Sequence, residues 1–193
     1  VNISDALYVG ITDNQFTPGS EGTTPQSIIA GLRQLYPSEA AAAKAAGVPR
    51  STWRRWARGA TPKAGGFARL QAAQRRARLP REREAWMRHG HIVVDGILAF
   101  SDEEEPFRRL VTDWGRLPGA AAHEQPPGMQ GRILDAWLAA DDLRAVDALM
   151  GPLHAGLNEH ADKDIELQVV DIYSIRWFKT RGEALQAMRL RRM

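Results

Sequence analysis

Five residues in one short window have types and spacing suited to holding a polyanion. Arg50, Ser51, Arg54, Arg55 and Arg58 lie within STWRRWARG and its flank. Wound into a helix, they share the face opposite Trp53 and Trp56, which are three apart and therefore point the same way. Guanidinium forks on a rigid rod suit guanine edges and phosphates in a major groove. The alternative is an αα-hairpin whose arginine face is only solvated. Other chemistry is hard to assemble. There is no cysteine, so a disulfide, a thiolate metal site and a cysteine nucleophile are excluded. His89, His91, His123, His154 and His160 show no zinc spacing, and no glycine-rich phosphate loop is present. The acids Asp102–Glu105 could ligate a cation, but read better as solvated carboxylates ahead of a helix. No catalytic constellation appears, so an enzyme acting on DNA is the weakest function class and no metal or cofactor is expected.

The element that must carry these arginines is a helix-turn-helix over Glu39–Gly59. Ser38 caps an alanine-rich helix, Gly47 opens the turn, Val48 plugs it, and the second helix starts near Ser51. Ala42, Ala43 and Ala46 allow a close crossing. A preceding helix, Pro25–Leu35, has Thr24 as cap and Ile28, Ile29, Leu32 and Leu35 on its apolar face. After a loop at ATPKAGG, Phe67–Leu79 turns Phe67, Leu70, Ala73 and Ala77 inward. Arg69, Arg75, Arg76 and Arg78 then become candidate phosphate contacts, on a helix that also closes the bundle.

The net charge of +3 hides a segregation. Val48–Ile92 holds twelve Arg or Lys and two acids, Val93–Ile175 sixteen acids and six bases, and Arg176–Met193 six bases and one acid. The basic block suits a nucleic acid through counterion release, whereas the acidic block does not lie along one. No apolar run approaches the roughly 20 residues that span a bilayer. The polar start lacks a secretory pattern, so a cytoplasmic, nucleoid-associated protein is expected.

The pattern changes beyond residue 90. His91–Phe100 is rich in β-branched residues and predicts a strand, with Gly96 a candidate bulge. Phe107–Trp114 predicts a short helix, residues 115–128 a loop, and Met129–Ala140 and Asp142–Leu157 two helices. Their apolar faces are Ile133, Leu134, Trp137 and Leu138, then Leu143, Val146, Leu149, Leu153 and Leu157. Asp164–Phe178 alternates and predicts a long strand, and Arg181–Met193 a basic helix. The expected fold class is α+β and mostly helical: an N-terminal helix-turn-helix bundle, then a small α+β domain with two main strands. The expected divisions are an arm over 1–23, the DNA-binding domain over 24–80, the α+β domain over 91–178 and a tail over 179–193. The last strand offers an edge for a homodimer.

In order of features the chain resembles the telomere terminal proteins (the Tpg type) of actinomycete linear chromosomes and plasmids. The resemblance runs over residues 3–178. ISDALY, AAKAAGVPRSTWRRWARG, FARLQAAQRRAR, RILDAWLAADDLRAVDALM with LHAGL, and IELQVVDIYSIRWF carry it. The helix-turn-helix is generic; the closing strand and the helix pair before it are more specific. It implies a protein primer that binds double- or single-stranded telomeric DNA and caps replicon ends. A side-chain hydroxyl would attack an α-phosphate and stay joined to the DNA 5′ end, with a DNA polymerase supplying Mg²⁺. A telomere-associated protein is the other implied partner. The chain would then be a substrate rather than an enzyme. The position matching the family's acceptor threonine is Ser101, in FSDEEEP, with Thr112 next. The chain departs from the family in having serine there, in a shorter preceding loop and in its basic tail. The competing function is a helix-turn-helix transcriptional regulator with a C-terminal dimerisation or effector domain.

Overall fold

Polar side chains that accept free N–H groups start the N-terminal helices. In the computed structural model Asn2 caps α1 (Ile3–Thr12). Thr24 and Ser27 form a reciprocal capping box at α2 (Pro25–Leu35), with Pro25 in its first turn. The Ser38 hydroxyl accepts from the Ala41 N–H at 3.1 Å to open α3 (Glu39–Ala45). Next come α4 (Arg50–Ala57), α5 (Ala64–Arg78), α6 (Arg81–Met87), β1 (His91–Phe100), β2 (Arg108–Asp113), α7 (Met129–Leu138), α8 (Asp142–Asn158), β3 (Leu167–Phe178) and α9 (Arg181–Leu190). The structure describes residues 2–13, 22, 24–100, 108–113, 128–158 and 167–190.

The chain is α+β and mostly helical, with two main cores. The first belongs to the helix-turn-helix bundle. Ile28, Ile29 and Leu32 of α2, Ala42 and Ala43 of α3, Trp53 and Trp56 of α4, and Leu70 and Ala73 of α5 meet there, with Val48 from the turn. Leu35, expected inside, is half exposed, since the helix ends at that residue. Residues 64–66, expected in a loop, form the first turn of α5. Gly66 permits this, because a Cβ there would sit 2.9 Å from the Trp56 ring.

The second core is built on an antiparallel sheet of order β2-β1-β3. The two expected main strands pair directly, with Val94 opposite Ile175 and Ile92 opposite Trp177. The register shifts between Asp95 and Gly96, whose partners are Ser174 and Ile172, so the extra residue is Tyr173 of β3 and the irregularity lies across from Gly96 rather than at it. A Cβ on Gly96 would lie 2.3 Å from the Asp171 carbonyl oxygen. The segment expected as a helix over Phe107–Trp114 is instead strand β2, which takes the other side of β1. A helix of that length nucleates poorly on its own, whereas an open strand beside it offers a complete ladder. Thr112 therefore lies in a strand, opposite Val94.

One sheet face carries Ile92, Val94, Ile172, Ile175 and Trp177 into a core with α7 and α8. Ile133, Leu134, Trp137, Leu138, Leu149 and Leu153 are buried as expected, but Leu143 is 81% exposed because it faces outward in the first turn of α8. Residues 3–12 are not an arm. They form α1, and Ala6, Leu7, Tyr8 and Ile11 enter this core. Gly10 lies so close to β3 that a Cβ would fall 2.2 Å from the Ile175 carbonyl oxygen. The other face is covered by the expected tail. Ala184 and Met188 of α9 pack on Val93 of the central strand.

Candidate nucleic-acid interface

The turn between α3 and α4 closes as a Schellman motif. Gly47 takes φ +64°, its N–H donates to the Lys44 carbonyl at 3.0 Å, and the Val48 N–H donates to the Ala43 carbonyl at 3.1 Å. Trp53 and Trp56 are buried at 0% and 5% exposure, which fixes the rotation of α4 about its own axis. Gln26 of α2 donates to the Trp56 carbonyl at 3.0 Å and ties down the far end of that helix. A second Schellman closure follows, with Gly59 at φ +108°.

With the tryptophans inside, Arg50, Ser51, Arg54, Arg55 and Arg58 are all exposed. Ser51, Arg54, Arg55, Arg58 and Ala60 line an open concave surface of about 480 Å³. Four of the five residues read from the sequence are thus brought together, while Arg50 lies outside this lining with its Nε 3.9 Å from Glu39. Among the described residues, Arg55 and Arg58 meet no carboxylate.

The α5 arginines separate into two kinds. Arg69 and Arg76 are exposed and line a concavity of about 300 Å³ with Gly47 of the turn and Ala139 beyond α7. Arg75 is not a phosphate contact. It is 4% exposed, donates to both Asp142 oxygens at 2.6 and 3.1 Å and to the Trp137 carbonyl at 2.9 Å, and stacks on the Trp137 ring. Arg78 is half-buried and donates to the Tyr8 hydroxyl at 3.0 Å. It joins α5 to α1. The outward face of α5 in its own bundle is, near its end, the inward face of a second contact.

The same use continues down the basic block. Arg83 donates to the Ile11 carbonyl at 2.9 Å and the Gly10 carbonyl at 3.3 Å. Arg88 pairs with Asp135 and Glu84, each at 2.7 Å, and these carboxylates raise its pKa, with Asp135 the larger cause. Part of the basic block is therefore used inside the fold: Arg75 and Arg78 dock the bundle on the second core, and Arg83 and Arg88 brace elements of that core.

Sequence reasoning missed Glu39. Its carboxylate accepts from Arg54 at 2.9 Å and from Arg33 at 3.1 Å. The hydrogen bond from Arg54 is the main cause that lowers its pKa, against a smaller desolvation effect. A lone acid at the entrance to a basic window was the available signal.

Ser101 and the acids Asp102–Glu105 lie outside the described residues. Among the described residues, no group of three or more His, Asp or Glu could hold a metal ion, and no helix is long and apolar enough to cross a membrane. Comparison with family models, with curated proteins and with solved structures finds no match.

Proposed function

We propose that this chain binds duplex DNA with α4 in the major groove, and that it acts there as a telomere terminal protein that caps replicon ends and primes their replication. The observation that carries the DNA-binding part is the outer face of α4. It gathers Arg54, Arg55, Arg58 and Ser51 on one open concave surface, on a helix whose rotation two buried tryptophans fix. Phosphate contacts from Arg55 and Arg58 would set affinity, since each neutralised phosphate releases counterions. Arg69 and Arg76 extend the basic surface along α5. The priming part rests on the resemblance to terminal proteins. In it the Ser101 hydroxyl, or Thr112 next, attacks the α-phosphate of a deoxynucleotide with loss of pyrophosphate. A partner polymerase supplies the metal.

Two measurements test this. Fluorescence anisotropy with a duplex should show salt-sensitive binding, and Arg55→Ala or Arg58→Ala should lower the slope of log K against log salt by about one unit. A deoxynucleotidylation assay with labelled dNTP, Mg²⁺ and extract containing the replicon's polymerase should then label the wild type but not Ser101→Ala. Label on both moves the acceptor, with Thr112 next. Salt-sensitive binding without any label favours a helix-turn-helix regulator. Duplex binding that is absent, or indifferent to salt and to these arginines, removes the reading altogether.

A further inference from the structure

Glu39 is the first residue of α3, and its two carboxylate oxygens are divided between neighbours. Oε2 accepts from Arg33 Nη2 at 3.1 Å, which anchors the carboxylate to the end of α2. Oε1 accepts from Arg54 Nε at 2.9 Å, with Arg50 Nε farther away at 3.9 Å. Three helices thus converge on one carboxylate. Arg54 is gripped through Nε, the nitrogen nearest its stem. Its terminal Nη1 and Nη2 amino groups meet no acceptor among the described residues, and its side chain is 50% exposed. A guanidinium held in this way keeps a two-pronged donor pair whose direction is set before any ligand arrives.

Arg55 and Arg58, on the same concave surface, carry no such brace among the described residues. An unbraced arginine can follow a phosphate wherever the backbone places one. A braced arginine has given up part of its rotamer freedom beforehand, and swinging to a substitute acceptor breaks its ion pair. Paired acceptors that match a two-pronged donor occur in the major groove at guanine, as O6 and N7. Adenine offers a donor at the corresponding edge, so an aimed guanidinium is left poorly matched there.

We propose that Arg54 is the specificity-determining side chain of this interface, that it reads a guanine, and that Glu39 is the positioning residue that aims it, while Arg55 and Arg58 hold phosphates. This rests on the DNA-binding reading above. It divides the arginines of one helix by the company each keeps, and it makes the one acid of the helix-turn-helix a part of recognition.

The experiment starts from a duplex selected by the full-length wild type out of a randomised library. At each guanine the selection fixes, affinity is measured with guanine, 7-deazaguanine and adenine in that place, for wild type, Glu39→Gln, Glu39→Asp, Arg54→Ala and Arg55→Ala. At one position the wild type should lose about 10-fold or more with either replacement. Arg54→Ala should bind all three duplexes alike. Glu39→Gln should lose most of the discrimination while keeping the salt slope, and Glu39→Asp should recover part of it. Arg55→Ala should keep the discrimination and lower the slope.

Three results overturn the proposal. One is a selection with no guanine-dependent position. Another is discrimination that survives Arg54→Ala or Glu39→Gln undiminished. The third is a uniform gain in affinity for every duplex in Glu39→Gln, which would make the carboxylate a competitor of phosphate. A wild type without salt-sensitive duplex binding fails earlier, at the DNA-binding reading itself.

Discussion

Three arginine settings among the described residues differ in burial and in bracing. Arg75 is enclosed, with a carboxylate, a carbonyl and an indole ring around it. Arg54 is half exposed and braced by Glu39, whereas Arg55 and Arg58 are exposed and unbraced. Arg75→Ala should destabilise the fold by roughly 1–3 kcal/mol, because it takes this donor from the Trp137 carbonyl and removes a buried guanidinium from the Trp137 ring, while Asp142, 47% exposed, can turn to water. Urea titration measures that cost. The salt slope for DNA, taken where the variant is still folded, should not move. The Glu39 brace has a pH sign as well. Its folded pKa is depressed, so the link is present above the ordinary carboxylate range and is lost as pH falls through the depressed value. An NMR titration of the Arg54 Nε–H should follow this loss at acid pH and show no change around neutrality.

The elements show where a sequence is legible and where it is not. The helix-turn-helix could be read because its signals are local: Ser38 at a cap, Gly47 in a left-handed turn, and Trp53 and Trp56 three apart. Strand β1 was legible from its β-branched run, and the break in register from a glycine within it, although the extra residue is Tyr173 across from it in β3. Periodicity gives the face of a helix relative to its own bundle, but it is silent about a second body packed on the other side. That is why Arg75 read as outward. Leu110, Val111 and Thr112 suit a short helix or a strand equally, and a partner supplied from elsewhere in the chain decided between them. One element ending carries strain that substitution can remove. Ala140 follows α7 at φ +60°, in a Schellman turn whose Asp141 N–H donates to the Ala136 carbonyl at 3.0 Å. An L-residue with a Cβ is disfavoured there. Ala140→Gly should stabilise the protein by about 0.5–1 kcal/mol net of the added unfolded-state entropy, and raise Tm by about 1–4 °C in a thermal melt.

At the scale of the molecule, two arginines of α5 bridge the two main cores, and Leu79 at the end of that helix enters the second. Arg75 reaches Asp142 and Arg78 reaches Tyr8, whereas the pair of Arg88 with Asp135 braces the second core itself, beside Met87. The last helix belongs to the fold as well. Ala184 and Met188 cover Val93 on the face of the central strand turned away from α7 and α8, with Leu185 and Phe178 packed beside them. Truncation after Lys179 should therefore cost on the order of 3–6 kcal/mol in lost apolar burial and leave a face that binds a hydrophobic dye. Dye fluorescence and urea titration of the truncated chain check this.

The seat of α1 against β3 sets an order of events during synthesis. Among the described elements α1 is made before the others, and it closes on β3, the last of the described strands, with Gly10 resting on the Ile175 carbonyl. The bundle of α2 to α5 needs only neighbours within some fifty residues, so it can close while the rest is still being translated. For most of that interval Leu7, Tyr8 and Ile11 wait without their partners. A nascent chain therefore carries a finished arginine-bearing helix well before the body that will sit behind it exists.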